Sequence, residues 1–488
     1  MKSIQLITAS AFMLAIILVN CKQVEVDPDT FIRQTATDSL TLAQVRAFNR
    51  ADIPANIYLT DPGMEGLFVL DRADRTTADN TGIVLVTSTG RRFKRQFTGA
   101  ANARWFNILP ADDDIGPELQ VAINATTGDV FIPDGQYTQR TEVRMRSNLG
   151  LRGTPGKVTI TLPKSYVSLF NPIDTKPDLD NVTLDGINWV VTATGEGSYG
   201  VISIDGPTVN NFTIQNCRSS DAAAQASTNF LTLKVQAGKT AKNIVLRQND
   251  IRAKRMAFEV FNHDNFNVYA GQNITVSGNT IHECTFGISL SGPLDGLTVS
   301  ENYIKNCSLY GIEIAGASKN VNILNNKFEG TFDKFIEGSN DGSGNGLVVG
   351  GLVIVGNQTV GTVTGGIQLF NAGAAQFNHN TLMMTGRLEL LTISSTGGVY
   401  ESNVIVSGAT HAIICDNAPN NIFRDNTISN KPATENVATF RAYGEKATGV
   451  IVANNRFSKG TGGVYFDAVS GAAYSLTANI DEAGKPIQ

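Results

Sequence analysis

The sequence has few cysteines, modest charge and no long run of basic residues. Its 488 residues include five cysteines, and charged residues make up 17% of the chain, with a formal net charge of −5. The four cysteines beyond residue 21 do not have the spacing of a zinc site, and they are too few for a fold built on disulfides. Nucleic acid is not expected as a partner, because phosphate binding needs clustered lysine and arginine.

Long apolar runs are also missing, apart from one at the N-terminus. Residues 1–21 read MKSIQLITASAFMLAIILVNC, with one early lysine and then a mostly apolar stretch. That stretch is too short for a comfortable membrane span and is typical of a signal-peptide core. It resembles a bacterial lipoprotein signal in which Cys21 is lipidated, although Asn20 stands where such signals usually carry a small residue. We therefore expect a lipid-anchored protein of the cell envelope, at the outer surface or in the periplasm. The alternatives are plain secretion and a permanent N-terminal membrane helix.

The dominant feature of the chain is a repeated turn motif that contains asparagine. Segments such as NITVSGNTI at Asn273 and GVIVANNRF at Gly449 place an asparagine at the same point of the turn. The usual interval is 23 residues (302 − 279 and 380 − 357), and three longer intervals (279 − 249, 357 − 326 and 455 − 426) indicate enlarged coils. The asparagines of this column are Asn249, Asn279, Asn302, Asn326, Asn357, Asn380, Asn403, Asn426 and Asn455.

The neighbours of these asparagines keep the same period. The residues three before and two after each one are apolar or aromatic in almost every repeat, in alternating runs that suit strands. A leucine-rich repeat would need leucine-dominated text with a helical segment. The pattern instead predicts an all-β protein, a parallel β-helix of about eleven coils with three short strands in each coil.

Stacking explains why asparagine recurs. Coils repeat at the strand spacing of about 4.8 Å, so each asparagine should lie above the previous one. We expect a structural role, because asparagine tolerates the left-handed backbone of a sharp turn and its amide can donate to the next side chain and accept from the last. Cys284 and Cys307 each follow a ladder asparagine by five residues (284 − 279 and 307 − 302). They should stack as buried thiols, and a disulfide between them is left open.

The region before the coils carries several segments in the order of a known family. They are Trp105-Phe106, the acidic run 112–114, and the segments 119–123, 130–137 and 147–153. This order resembles the N-terminal region of pectate-lyase-superfamily (pectin-lyase-like) β-helix proteins, including phage-tailspike-like and polygalacturonase-like members, although their usual Gly-Asp-Gly is missing. The resemblance implies a right-handed, single-stranded β-helix. Residues 115–124 read as an amphipathic helix that would cap its first coil.

These features divide the chain into five parts. They are a lipoprotein-type signal peptide (1–21), a tether (22–60), a small β module (61–103), the capped β-helix (104–470) and a C-terminal tail (471–488). The resemblance does not name an activity, because this fold carries lyases, hydrolases, epimerases and non-enzymes.

The strand after each ladder turn is where chemistry is expected, because its solvent-facing side usually forms the groove of a β-helix. Alternation points Glu259, Glu313 and Glu337 toward one face, two coils and then one coil apart, or roughly 10 Å and 5 Å between backbones. Carboxyl pairs in glycosidases lie about 5 to 9.5 Å apart, so the spacing permits acid–base catalysis. It equally permits a calcium site or a solvated sheet face without function.

Other candidates flank the same face. Enlarged coils should place loops beside it as walls, and His263 on the first of these is the titratable candidate, although a lone surface histidine more often has no function. Lys234 and Arg441 could bind an acidic sugar. Aromatic residues that could stack on sugar rings are Phe261, Phe370, Tyr443 and Tyr465. The acidic motifs of polygalacturonases and the paired arginines of pectate lyases are not found in register.

Two functions from different classes fit these observations. The first is an enzyme that cleaves an extracellular polysaccharide by lyase or hydrolase chemistry. The second is a surface protein of the same fold that binds glycans or adheres without catalysis. Convergence of the three glutamates with a basic residue or His263 in a walled groove would favour the first, and splayed, fully solvated glutamates would favour the second.

Overall fold

The structure, a computed structural model, describes residues 37–49, 53–165, 167–172, 178–194, 196–221, 227–262, 268–339, 349–385, 390–408, 411–430 and 437–488. Cys21 and His263 therefore lie outside the described residues. Within these ranges, no helix is both long and apolar enough to cross a membrane.

The chain begins with a small sheet that has its own core. Its strands, in spatial order, are Asp38–Leu40, Asn56–Leu59, Gly66–Asp71, Arg92–Arg95 and Val84–Val86, and a short helix spans Leu42–Arg46. Val45, Ile57 and Phe68 are among the residues buried between the helix and the sheet. The sheet thus takes in the C-terminal part of residues 22–60, which the sequence assigned to a tether, because their apolar residues complete this core.

One buried arginine joins the small sheet to the region that follows. The Arg95 guanidinium lies 4.5 Å from the ring centre of Phe68 and 4.3 Å from that of Trp105. It donates hydrogen bonds to the carbonyls of Met64, Glu65 and Gly82. Cation–π contacts of this kind, removed from water, contribute to stability.

The rest of the chain forms a rod of stacked coils, in which every strand pairing is parallel. The strand that precedes the ladder asparagine of each coil belongs to the first sheet. Its strands are Ala101–Asn102, Val130–Phe131, Gly150–Arg152, Leu179–Asp185, Val209–Gln215, Ala241–Arg247, Gly271–Ser277, Leu294–Ser300, Lys319–Leu324, Val349–Val355, Ala372–Gly373, Gln376–Asn378, Val399–Glu401, Ile422–Arg424, Val450–Ala453 and Tyr474–Thr477.

The second sheet holds the strand that follows the ladder position, and the third sheet completes the coil. Two long strands, Thr280–Ser291 and Tyr303–Ala315, run through both. The other strands of the second sheet are Gly135–Thr138, Val158–Leu162, Ile187–Val191, Arg218–Asp221, Asp250–Arg252, Lys327–Glu329, Gln358–Thr359, Thr381–Thr385, Val404–Ser407, Thr427–Asn430, Arg456–Ser458 and Ile480–Asp481. The other strands of the third sheet are Leu169–Asn171, Glu196–Asp205, Ser227–Lys234, Met256–Phe261, Thr331–Ser339, Val363–Phe370, Leu390–Ile393, Ile413–Asp416, Ala438–Tyr443 and Val464–Val469.

The rod has about twelve turns, close to the predicted eleven. The extra length lies at the C-terminal end, where Tyr474–Thr477 and Ile480–Asp481 continue the first and second sheets into the predicted tail. One continuous core runs along the interior, with aromatic side chains in neighbouring coils stacked on one another. The rings of Tyr400 and Phe423, for example, lie 4.5 Å apart and nearly parallel.

The asparagine ladder is present as predicted and continues to Asn479. Asn302 shows its chemistry: its Oδ1 accepts from the backbone N–H of Asn279 at 3.0 Å and from Asn279 Nδ2 at 2.9 Å. Its Nδ2 donates to Val276 O at 2.9 Å and to Asn326 Oδ1 at 3.0 Å. The column is buried, so each amide satisfies polar groups that would otherwise be left unpaired out of reach of water.

The left-handed residue of the turn is not the ladder asparagine but the residue before it, which corrects the sequence interpretation. Gln248, Gly278 and Glu301, for example, have φ of 55°, 63° and 57°. Left-handed asparagines form a second, exposed column six residues before the ladder. There Asn243 Nδ2 donates to Asn211 Oδ1 at 2.9 Å, and glycine takes the same position at Gly351.

A helix at Gly116–Ala125, close to the predicted 115–124, precedes the first coils. A short 3₁₀ turn at Ala103–Phe106 comes before it. Leu119, Ala122 and Ile123 are buried and belong to the same core as the coils. That this helix acts as a cap on the rod stays a prediction.

Cys284 and Cys307 occupy matching positions on neighbouring coils, as the period predicted. Both are buried, and both are free thiols. Contact with the Cys284 thiol and burial raise the pKa of Cys307 well above its ordinary value.

Candidate functional site

The candidate site is a column of outward-facing side chains on the third sheet. Parallel pairing in register links each member to the next from coil to coil, so the predicted glutamates share one column. In order along the rod, the column holds Ser203, Thr232, Glu259, Ser289, Glu313, Glu337 and Gln368. We refer to these seven residues as the carboxylate column. Glu313 and Glu337 are direct neighbours, whereas Ser289 separates Glu313 from Glu259.

Glu259 is held by two residues of the preceding coil. Its Oε2 accepts from Asn229 Nδ2 at 2.7 Å and from Thr232 Oγ1 at 3.0 Å. Burial raises the pKa of Glu259 above its ordinary value, although the bonds from Thr232 and Asn229 and the charge of Arg255 oppose that effect. The negative charge of Glu313 adds to the rise. The arrangement favours a protonated carboxyl group nearer neutral pH than an exposed glutamate would allow.

Glu313 and Glu337 occupy paired positions on neighbouring strands. Ser289 Oγ donates to Glu313 Oε2 at 2.5 Å, which orients that carboxylate along the column. Glu337 is only 5% exposed, while Glu313 is half-buried. The strands that carry them are neighbours at a spacing of about 4.8 Å.

A second outward column lies beside the first and was not identified from the sequence. It is formed by Met256, Phe286, Tyr310 and Lys334, paired in register. The Phe286 and Tyr310 rings meet edge to face with centroids 5.5 Å apart. Burial raises the pKa of Tyr310, and the charges of Glu337 and Glu313 raise it further. The phenol therefore stays protonated at neutral pH and can donate a hydrogen bond.

This second column was missed because irregular pairing breaks the simple alternation just before the glutamates. The register shifts between Cys284 and Phe286. A signal was present in the recurring aromatic-glycine pairs at Gly287 and Gly311, where a Cβ would lie 2.5 Å and 2.6 Å from a carbonyl of the next coil. Only glycine fits there, and it brings the preceding aromatic to the face of the sheet.

Two predicted binding residues lie next to the carboxylate column. Lys234 is two residues beyond Thr232, and its Nζ lies 5.9 Å from the centre of the Phe261 ring on the next coil. Phe370 is two residues beyond Gln368 and is half-buried. They flank the two ends of the glutamate segment.

The remaining predicted residues lie several coils away from the glutamates. Arg441 is bound by Asp467 of the next coil, with Nη2 to Oδ2 at 2.6 Å and Nε to Oδ1 at 3.0 Å. Tyr443 is 42% exposed beside it. Tyr465 does not lie on the same column as Arg441, because the residue that pairs in register with Arg441 is Asp467. Tyr465 stands two residues before Asp467 and packs partly on the core.

The open question of a calcium site on this face concerns clusters of ligating side chains. Within the described ranges, no three histidine, cysteine, aspartate or glutamate side chains come together as ligands for an ion. The loops expected as walls fall largely in residues outside those ranges. His263 also lies outside them, so the position of His263 beside the glutamates stays a prediction.

With this geometry established, the chain can be compared with known proteins. Residues 176–382 match the family described as the right handed beta helix region. The rod is a right-handed β-helix. Residues 40–98, which span most of the small N-terminal sheet, match the family described as the phage tail protein small four-stranded beta-sheet domain.

Solved structures share the β-helix at low sequence identity. A tailspike protein, gp49 from Acinetobacter baumannii bacteriophage Fri1, is a capsular polysaccharide depolymerase. It is 12% identical, with 88% of this chain and 75% of that one covered and a TM-score of 0.51. The catalytic unit of a GH87 α-1,3-glucanase from Streptomyces thermodiastaticus is 14% identical over 80% of this chain and 73% of that one (TM-score 0.49). The A-module of the Azotobacter vinelandii mannuronan C-5 epimerase AlgE6 is 14% identical over 77% and 99% (TM-score 0.47). The similarity to the gp49 tailspike, at 12% identity, shows a shared fold and does not specify a reaction.

Proposed function

We propose that this protein cleaves an extracellular polysaccharide on the third sheet of the β-helix. The observation that carries the proposal is the carboxylate column, which places Glu259, Glu313 and Glu337 on one face, with Ser289 between Glu259 and Glu313. Structural similarity to a tailspike that depolymerises capsular polysaccharide supports this class of substrate. Aromatic and cationic side chains beside the column, such as Phe286 and Lys234, suit sugar rings and acidic substituents.

The glutamates can supply the acid and the base that glycosidic cleavage needs. Glu259, whose pKa is raised, donates a proton to the oxygen of the leaving sugar as the bond from that oxygen to the anomeric carbon breaks. Glu313, oriented by Ser289, removes a proton from the attacking water. Lyase chemistry is the alternative on the same face. There a base takes the proton beside a uronate carboxylate, and Tyr310 supplies a proton to the departing oxygen.

A substrate panel tests this proposal. Purified protein should be incubated with acidic and neutral polysaccharides while unsaturated products and reducing ends are followed together. Reducing ends alone identify a hydrolase, and unsaturated products identify a lyase. If no polysaccharide is cleaved by the wild-type protein at any pH from 4 to 9 (about the working range of carboxyl and phenol groups), the enzymatic proposal is wrong.

Binding without cleavage is the second candidate. It is favoured by aromatic side chains that lie outside the glutamate segment, such as the 42% exposed Tyr443. Co-sedimentation of the protein with an insoluble or immobilised polysaccharide that it does not degrade would assign the β-helix to adhesion.

We also propose that lipid on Cys21 tethers the protein to the cell envelope. The support is the apolar run and the cysteine at its end. Replacing Cys21 with alanine should release the protein from membranes or block its maturation, as measured by fractionation of expressing cells. Unchanged membrane association in the Cys21→Ala variant would contradict the anchor.

A further inference from the structure

The two carboxyl oxygens of Glu259 have different surroundings. The side-chain amide of Asn229 donates both of its hydrogens, one to Glu259 Oε2 at 2.7 Å and one to Thr232 Oγ1 at 2.8 Å. Because Thr232 Oγ1 accepts from Asn229, its own hydrogen is free for Glu259 Oε2 at 3.0 Å. Within the described residues, no hydrogen bond reaches Oε1.

The direction of these bonds is fixed by chemistry. An amide nitrogen donates only, so Glu259 Oε2 and Thr232 Oγ1 must both accept from Asn229. An oxygen that already accepts two hydrogen bonds is a poor place for a proton. When Glu259 is protonated, the proton therefore sits on Oε1.

The hydrogen-bond network around Glu259 is buried, and it carries a cost in free energy. Asn229 is fully buried and Thr232 is 3% exposed. Asn229 Oδ1 is buried and has no hydrogen-bond partner among the residues that the structure describes. An unpaired buried carbonyl is unfavourable and rare, yet rotating the amide would turn that oxygen toward Glu259 Oε2 and leave Glu259 with one donor fewer. The Asn229 amide is therefore oriented with its NH2 group toward Glu259.

We propose that Asn229 and Thr232 are positioning residues that fix Glu259 Oε2 and so leave Oε1 as the single oxygen that carries the transferable proton. This inference rests on the proposed role of Glu259 as the acid, and it identifies the part of the chain that aims the proton at the substrate. Asn229 and Thr232 act through Glu259 and need not touch the substrate themselves.

Titration of Glu259 tests the inference without any substrate. Protein labelled with ¹³C at glutamate carboxyl carbons should be titrated by NMR, with the Glu259 signal assigned by its loss in Glu259→Gln. Both donors stabilise the charged form, so Thr232→Val should raise the midpoint of Glu259 by roughly one pH unit. Thr232→Ser keeps the hydroxyl and should restore the wild-type midpoint. Thr275→Val, on the outward face of the first sheet, is the matched control and should leave the midpoint unchanged.

Activity then separates this inference from the proposed function. On a cleaved polysaccharide, Thr232→Val should lower kcat and move the alkaline limb of the pH profile upward by the same amount as the midpoint. An unchanged Glu259 midpoint in folded Thr232→Val, checked by its circular dichroism, overturns the inference whatever the activity. A shifted midpoint in a protein that cleaves no polysaccharide supports the positioning network and overturns the enzymatic proposal instead.

Discussion

The asparagine ladder and the carboxylate column both run along the rod with the same spacing from coil to coil. Their side chains interact with their neighbours in opposite ways. In the ladder, each buried amide donates to one neighbour and accepts from the other, so the column satisfies itself. In the carboxylate column, Glu313 and Glu337 stand in the same register one coil apart, but two carboxylates cannot satisfy each other. Amides at the strand spacing hydrogen-bond to one another and stabilise the fold, whereas ionised carboxylates at the same spacing repel.

A second contrast lies within the third sheet. From Thr232 to Gln368 its outward column is polar, whereas the next positions are Leu391 and Ile414. Beyond them, Arg441 donates three hydrogen bonds to Asp467. The positive charge of Arg441 is thus paired within the protein, and the three glutamates lie on the earlier coils of the same face.

The largest expected effect is on stability, when the ladder is interrupted. Asn302→Ala removes four hydrogen bonds and leaves buried partners on both neighbouring coils unpaired. The free energy of unfolding should fall by about 4 kcal/mol, since each lost bond of this kind costs about 1 kcal/mol or more. Thermal or urea unfolding measures it.

The exposed asparagine column supplies the control for that change. Asn243→Gly alters a left-handed, exposed residue at a position where other coils carry glycine. It should change the free energy of unfolding by less than about 1 kcal/mol. Equal losses in Asn302→Ala and Asn243→Gly would mean that the buried ladder is not what holds the coils together.

The next effect is on activity, when a carboxylate becomes an amide. Glu313→Gln keeps the shape and the bond from Ser289 but removes the charge. In an enzyme it should lower turnover by on the order of 10²-fold or more, with a change in unfolding free energy of about 0.5 kcal/mol or less.

The matched control is Glu401→Gln, which removes a carboxylate of the first sheet that pairs with Arg424 at 3.0 Å. Turnover of that variant should equal that of the wild-type protein. Full activity in purified Glu313→Gln, on any polysaccharide that the wild type cleaves, would show that the chemistry lies elsewhere on the rod.

The smallest effect concerns pH. Burial raises the pKa of Glu259 in the folded protein above the ordinary 4.5, so the folded state binds this proton more tightly than the unfolded state does. The group therefore disfavours folding above its folded pKa, and that penalty is relieved as pH falls toward 4.5. Melting temperatures of wild type and Glu259→Gln, measured side by side, should converge on acidification. A difference that grows as pH falls would reverse the assigned direction.

Much of the fold could be read from the sequence because a solenoid is periodic. Each ladder asparagine and its apolar neighbours repeat the same local geometry, so counting residues gives the coil, the sheet and the inward face together. The same counting placed Glu259, Glu313 and Glu337 on one column. It failed at Tyr465, where the pairing of Arg441 with Asp467 sets the register.

The sequence by itself determined the period, the buried amide column and the side of the sheet on which the glutamates stand, because these depend on spacing alone. Only the tertiary structure decided which hydrogen-bond and ion-pair partners surround each charged side chain. Asn229 and Thr232 reach Glu259 from the preceding coil, 30 and 27 residues away. Tyr310 pairs with Phe286 through a shift in register, and Asp467 binds Arg441. These contacts join separate coils, and a periodic pattern does not specify which side chains on neighbouring coils turn toward each other.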